Sequence, residues 1–401
     1  MTPYFPPTWA YGGIPRIVYG LGTALVRQGV DVTVLTTDAF DGERRCDLPH
    51  DREVNGMRVV STPNLSNHLA YRHQFFLPWR AEAALRKIAK PDIIHLHGHR
   101  HLLNAAAVRY ARSEGIPTIL TANGTLPRHE RKIALKAIWD VMISGHVPLG
   151  ASRCVAVSKA EVRQYRAAGI PYERIAHIPN GLDLAEFSPL PPRGRLRARL
   201  GMSDDQPLVA YLGQISPRKG VEHLVEAFAS DPPCGATLAI GGNDMGALHA
   251  AKSRCPPGAP VHFLGLLEGD ARLELLVDAD VLVYASTGEV FGLVPFEGLL
   301  SGTPVVVGDD CGCGELIQEA GAGLLVQHSD VQALHQRIEF LLQDRERARR
   351  MVERGRNYIQ SQLTFPRVAR LHRELYTHVL SGHESPTDAP HLSLVSDRAG
   401  A

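Results

Sequence analysis

The sequence predicts an α/β protein made of two Rossmann-like, doubly wound units, and three observations carry that reading. The first is length: 401 residues, at roughly 150 per domain, suffice for two or three domains with separate cores. The second is a pair of series in which short apolar strands alternate with amphipathic helices, the pattern of a parallel sheet covered on both faces. The third is the break between them, SPLPPRGR at residues 188–195, where prolines and arginines interrupt both periodicities.

In the first series Gly12 and Gly13 precede a helix with Pro15 near its start, and Ile14, Ile17, Val18, Leu21 and Leu25 fall on one face. Strands are predicted at 30–35, 93–96, 118–120 and 154–157. The second series places strands at 208–212, 237–240, 261–264, 281–284 and 304–307, with helical segments between them. A last helix is predicted at 366–380. The domain boundaries read as 1–187, 188–365, the closing helix 366–380, and a polar, aperiodic tail at 381–401 expected to be disordered. One element is out of place. A doubly wound domain opens with a buried strand leading into its first glycine-rich turn, and Met1 stands where that strand should already have ended. The expectation is therefore a first strand missing here and a true start upstream of Met1, because losing a central strand would leave two neighbours with unpaired backbone groups.

Composition excludes several classes. Hydrophobic residues at 44% and charged residues at 21% are those of a globular chain and not of a collagenous or disordered one. No run approaches the ~18 apolar residues of a membrane span, and the first residues lack a basic stretch followed by an apolar core. A cytoplasmic location is expected. Six cysteines are too sparse for a disulfide scaffold, and Cys311 and Cys313 read as reduced thiols in a turn. Residues 1–190 hold 23 Lys and Arg against 16 Asp and Glu, a net of +7, leaving 20 against 26, a net of −6, for the remainder. The asymmetry fits either a basic half facing an anionic ligand or surface, or scattered solvated arginines.

Ligands of such sheets bind at the carboxyl ends of the strands, which directs attention to STGEVFGLVPFEGLLSGTPVVV, beginning at Ser286. Glu289 lies in this loop and Glu297 in the first turns of the helix expected from about Leu293. The backbone N–H groups of Phe291, Gly292, Leu293 and Val294 would be free at that helix start to receive a phosphate or a sugar hydroxyl. One carboxylate could bond sugar hydroxyls near a reaction centre and the other clamp a ribose diol. Taken alone, the pair would be read as a helix-start acid, Glu289, and a solvated surface residue, Glu297. It is not alone, because Gly213-Gln-Ile-Ser-Pro-Arg-Lys-Gly220 follows the strand at 208–212 and opens a helix. Lys219 could meet a diphosphate there, and a cation with no ligand is disfavoured at a helix start.

Together, Gly12-Gly13, Ile178-Pro-Asn-Gly181 with Asp183 and Phe187, Ser216-Pro-Arg-Lys-Gly220 and Glu289-x7-Glu297 resemble glycosyltransferase family 4, from about Thr2 to about Leu380. The resemblance implies a retaining glycosyltransferase (EC 2.4 class) of the GT-B fold, two Rossmann-like domains facing across a cleft with the C-terminal helix crossing back to the first. By matching position, Glu289 would contact the donor sugar near its reacting carbon, Glu297 the ribose hydroxyls and Lys219 the donor phosphates, helped by backbone at Gly12, Gly13 and 291–294. Asn180, Gly181 and Asp183 would lie at the link between domains. Two positions depart from the pattern. Gln214 stands where the family usually has Arg, forfeiting a charge-assisted contact unless Arg218 supplies it. Asn123, in Ile119-Leu-Thr-Ala-Asn-Gly124, stands where many members carry His, and it can donate a hydrogen bond but cannot act as a base.

His95, His97, His99 and His101 alternate after Asp92. Without Cys or arranged carboxylates nearby they do not make a metal site, and the family pattern places His97 at the cleft. Asp278-Ala-Asp280 is read as structural. No metal and no cofactor is expected, the nucleoside-diphosphate sugar being a co-substrate.

The implied reaction moves a glycosyl group to an acceptor hydroxyl, carbohydrate or lipid-linked, as in polysaccharide, glycolipid or cell-envelope biosynthesis. With no evident nucleophile, a same-face substitution is expected in which the leaving phosphate takes the acceptor proton. Arg128–Asp140 reads as a basic amphipathic helix, either packed into the first domain or resting peripherally on an anionic membrane. No nucleic-acid partner is expected. A nucleotide-sugar epimerase and a catalytically impaired nucleotide-sugar binding protein remain as alternatives. A pyridoxal-dependent phosphorylase and a nicotinamide dehydrogenase fit less well, the latter because Gly12-Gly13 does not make Gly-x-Gly-x-x-Gly.

Overall fold

The computed structural model describes residues 1–8, 11–127, 146–229 and 231–382. The basic helix predicted at 128–140 and nearly all of the predicted tail lie outside them. The chain divides into two compact units, Met1–Leu182 with Leu363–Ala401, and Asp183–Gln362. These limits differ by a few residues from the sequence-based boundaries, and the local backbone explains why. Where the chain leaves the first unit and where it returns, the two passes are bonded to each other: Leu182 N–H donates to Leu363 O at 2.7 Å.

Asp183–Gln362 is a six-stranded parallel sheet of β8 (Leu208–Leu212), β9 (Thr237–Gly241), β10 (Val261–Gly265), β11 (Val281–Tyr284), β12 (Val305–Gly308) and β13 (Gly323–Val326), in the order β10-β9-β8-β11-β12-β13. Numbered within the unit this is 3-2-1-4-5-6, the doubly wound order, whose switch point lies between its first and fourth strands. β8, β9, β11 and β12 are buried at every residue, as strands covered on both faces must be.

The first unit holds β1 (Thr33–Thr37), β2 (Asp51–Val54), β3 (Met57–Thr62), β4 (Ile94–His97), β5 (Thr118–Thr121), β6 (Arg153–Ala156) and β7 (Ile175–His177). They form a three-stranded sheet, β1-β3-β2, and a parallel four-stranded sheet, β4-β5-β6-β7. The position of the strand expected to be missing is filled by backbone at residues 1–3. Thr2 N–H donates to Leu35 O and Thr37 N–H to Pro3 O on one side, and His97 N–H donates to Met1 O at 2.9 Å on the other. The neighbours that an absent strand would have left unpaired are thus bonded at this point.

The helix Phe365–Leu380 packs against the opening helix Gly13–Arg27 within the same unit. The Phe365 ring occupies the space that a Cβ at Gly20 or Gly181 would need, so both positions require glycine for the returning helix to close on its unit. Tyr376 on this helix meets His95 Nδ1 at 2.7 Å. Asp278 and Asp280, read as structural, lock the segment 193–208 onto their own sheet. Asp278 accepts from the N–H groups of Gly194, Leu196 and Arg197 at 2.5–3.0 Å, and Asp280 pairs with the buried Arg197 at 2.6 Å. No helix among the described residues is long and apolar enough to cross a membrane.

Candidate active site

The loops after β8 and β11 emerge side by side at the switch point of Asp183–Gln362, and their side chains meet. After β8, Gly213 turns the chain (φ 143°), Pro217–Lys219 forms one 3-10 turn, and Gly220 (φ 65°) admits the helix Val221–Ala229. A Cβ on Gly220 would lie 2.9 Å from Ala285 O, so this crossing of two loops needs the missing side chain. Lys219 is thereby aimed at the β11 loop. Its ammonium forms an ion pair with Glu289 Oε2 and donates to the Tyr284 hydroxyl at 2.5 Å, lying over the Tyr284 ring at 4.6 Å from its centroid.

The side chains of Lys219 and Glu289 are 12% and 25% exposed, too little for water to satisfy them separately. Burial pushes the Glu289 carboxyl up, but Lys219, Arg218 and the Tyr284 hydroxyl outweigh it and hold the group below its ordinary value. Tyr284, buried and beside this carboxylate, is held well above the usual tyrosine value and stays neutral.

The helix following Glu289 begins at Val294, one residue after the predicted start. Among the described residues the backbone N–H groups of Phe291, Gly292, Leu293 and Val294 have no backbone acceptor. They form the open end of a helix dipole beside the Lys219–Glu289 pair, an arrangement suited to an anionic or hydroxylic ligand. Gly292 sits at φ 72°. A Cβ there would press within 3.1–3.3 Å of Cys313 Sγ, the Tyr284 ring and Glu289 Cγ.

Glu297, in the first turn of the same helix, is 5% exposed, so the solvated alternative does not apply to it. It forms an ion pair with Arg272 at 2.7 Å, and Arg272 also meets Glu186 at 3.0 Å. Burial lowers the Arg272 pKa and the two carboxylates more than restore it, so the guanidinium stays charged. Arg272 and Tyr284 are the site residues that sequence reasoning missed. Gln214 is exposed, and its carbonyl accepts from the Tyr211 hydroxyl at 2.8 Å. Arg218, proposed as its substitute, reaches the same β11 loop at Gly288 O, 3.5 Å away. Cys311 and Cys313 are buried at the start of the helix Gly312–Ala320 rather than in a turn, their sulfurs 3.2 Å apart.

Residues of the other unit form a separate group. Gly12 (φ 96°) and Gly13 are exposed at the start of the opening helix. His97 ends β4 and is 5% exposed. It lines a small cavity with Thr121, Asn180 and His372, and its Nδ1 has no hydrogen-bond partner among the described residues. Asn123 adopts the left-handed conformation (φ 51°), which Asn tolerates better than most residues, and its Oδ1 accepts from Asn180 at 3.5 Å. The turn it forms is fastened by the buried Glu161, which accepts from Gly124 N–H at 2.7 Å and Val157 N–H at 2.9 Å. No group of three side chains suited to a metal ion occurs among the described residues.

The chain matches the family described as "Glycosyltransferase Family 4" over residues 11–186 and that described as "Glycosyl transferases group 1" over residues 192–358. It is 26% identical to a glycogen synthase of Mycobacterium tuberculosis, covering 98% of this chain and 96% of that one. It is 29% identical to a GDP-mannose-dependent alpha-mannosyltransferase of the same species over 84% of this chain and 85% of that one. The catalytic domain of starch synthase IV from Arabidopsis thaliana, solved with ADP and acarbose, superposes with a TM-score of 0.72 at 18% identity, covering 95% and 98% of the two chains.

Proposed function

Because the chain belongs to glycosyltransferase family 4 and is a glycosyltransferase of the GT-B fold, we propose that it transfers a sugar from a nucleoside-diphosphate sugar to a carbohydrate or lipid-linked hydroxyl, with retention of anomeric configuration. The observation that carries this reading is the Lys219–Glu289 pair at the switch point, flanked by the open N–H groups of residues 291–294. A departing diphosphate gains negative charge as the sugar–oxygen bond breaks. An ammonium and fixed amide dipoles aimed at it stabilise that charge without reorganising, and removing one such group typically costs ~10²–10³ in rate. Once the diphosphate takes Lys219, Glu289 is released to bond the sugar. Glu297, held by Arg272, presents a fixed carboxylate to the ribose diol. Arg218 supplies the cation that Gln214 cannot. The leaving phosphate removes the acceptor proton, so neither Asn123 nor His97 has to act as a base.

Thermal-shift screening against a panel of nucleoside-diphosphate sugars tests the donor class. The true donor at 100 times its Kd should add about 2.7 kcal/mol of stability. Its turnover with acceptor, followed by NMR of the new linkage, reads the anomeric outcome. Inversion would sink the same-face mechanism. Conversion of donor without acceptor would favour an epimerase, and binding without sugar release across a broad acceptor panel would favour a binding protein.

A further inference from the structure

We propose that Tyr284 is a positioning residue of this site, its hydroxyl holding Glu289 in place after the donor's diphosphate has drawn Lys219 away; this rests on the function proposed above. One hydroxyl bridges the whole ion pair. It accepts from the Lys219 ammonium at 2.5 Å and donates to Glu289 Oε2 at 3.1 Å. The ring cannot wander. Tyr284 is the last residue of β11, in register with Val307 of β12, and is 4% exposed. Gly292 on one side and Gly213 on another lie so close that a Cβ on either would come within 3.1 and 3.7 Å of its ring.

An incoming diphosphate competes with Glu289 for the same ammonium. Glu289 then loses its closest partner while remaining three-quarters buried. The groups facing it are Lys219 and Arg218 from the β8 loop, Tyr211 of β8, Tyr284 of β11 and Cys313 of the next helix. Of these, Tyr284 is the one donating to its carboxylate from the rigid end of a strand, and a hydrogen bond to a charged group is roughly twice as strong as one between neutral groups. Without it the carboxylate would be free to rotate or to take up a proton at the moment it should meet the sugar.

The test is Tyr284→Phe in the full chain, which keeps the ring and removes only the hydroxyl. Wild type and variant are compared by circular dichroism melting, donor affinity, kcat and the pH dependence of kcat. The expected result is a folded variant with donor KM changed less than about threefold, kcat reduced about tenfold or more, and the acid limb of kcat moved to higher pH. A merely structural role would alter melting and leave that limb in place. Unchanged kcat and an unmoved acid limb, in a wild type that transfers normally, would overturn the role of Tyr284 alone. A wild type that binds no nucleoside-diphosphate sugar would overturn it together with the function it rests on.

Discussion

The site at the switch point of Asp183–Gln362 is built from ion pairs, and the small cavity beside the ends of β4 and β5 in the other unit is lined by neutral groups. In the former, Lys219, Glu289, Arg272 and Glu297 are taken from water and neutralise one another in pairs. In the latter, His97 and His372 are buried and held neutral, and Asn180, bonded to Asn123, offers only an amide. Buried ion pairs are costly and contribute little net stability, so their concentration at one switch point marks a place where an incoming anion can exchange with one partner. A neutral, amide-lined site suits hydroxyl groups. On the function proposed above, the charged site would manage the departing diphosphate and the neutral one would orient an acceptor.

Breaking the ion pair should have the largest effect. Lys219→Met strands a three-quarters-buried carboxylate, and should lower the stability of its unit by about 1–3 kcal/mol while reducing kcat/KM at least about 100-fold. Glu289→Gln should reduce kcat to a similar degree yet retain most donor affinity in calorimetry, because Lys219 is then free for the diphosphate. Near-normal turnover in the Gln variant would remove Glu289 from the catalytic set and leave the contrast without a function.

Acid should separate the two units next. Burial, the largest cause, lowers His372 and His177 to about 4 and His101 to about 3, with His95 and His97 also well below 6.5. Unfolded histidines bind protons near pH 6.5 that the folded ones refuse, so stability from these five is present above that pH and is lost as pH falls toward about 4. Glu161 in the same unit works the opposite way. Burial raises it to about 7, so its contribution is full below 4.5 and fades as pH rises through 7. Five histidines outweigh it. In the other unit Glu289, held below 4.5, contributes above that value and loses its contribution only below it. Hydrogen exchange by mass spectrometry between pH 6.5 and 4.5 should show protection falling first in residues 1–182. Loss in both units together would break the comparison.

The sequence exposes the charged region better than the neutral one, for physical reasons. β8 and β11 occupy the residues predicted for them, because doubly covered strands are continuous apolar runs with sharp polar or glycine ends. β2 and β3 were not predicted. Asp51–Val54 is polar and half exposed, although Asn55-Gly56, both at positive φ, is the two-residue hairpin signal that could have found them. β7, at three residues, is too short to show a period, and β13 is only partly buried and so lacks the continuous covered run of β11 and β12. Lys219 and Glu289 are legible because a cation and an acid follow strands at helix starts. Arg272 is not, since its contact with Glu297 joins the two helices on either side of β11, whose packing against each other no local pattern shows. Tyr284 reads as one more buried strand residue, and its hydroxyl acquires meaning only when two loops are folded over it.

The smallest effect should come from Asn123, and its smallness is informative. Asn123→Gly retains the left-handed turn, since glycine adopts φ near 51° without strain. The bond from Gly124 N–H to Glu161 at 2.7 Å is also kept. What disappears is a pair of long amide contacts, to Asn180 at 3.5 Å and to Thr121 O at 3.4 Å. A weak neutral hydrogen bond is worth about 0.5–1 kcal/mol, so kcat/KM should stay within about fivefold of wild type, with the pH profile unchanged. That near-neutrality is what a mechanism without a base on this side requires. A 100-fold fall in kcat with donor affinity intact would instead place the Asn123 side chain against the reacting atoms. The neutral site would then share the chemistry assigned to the charged one.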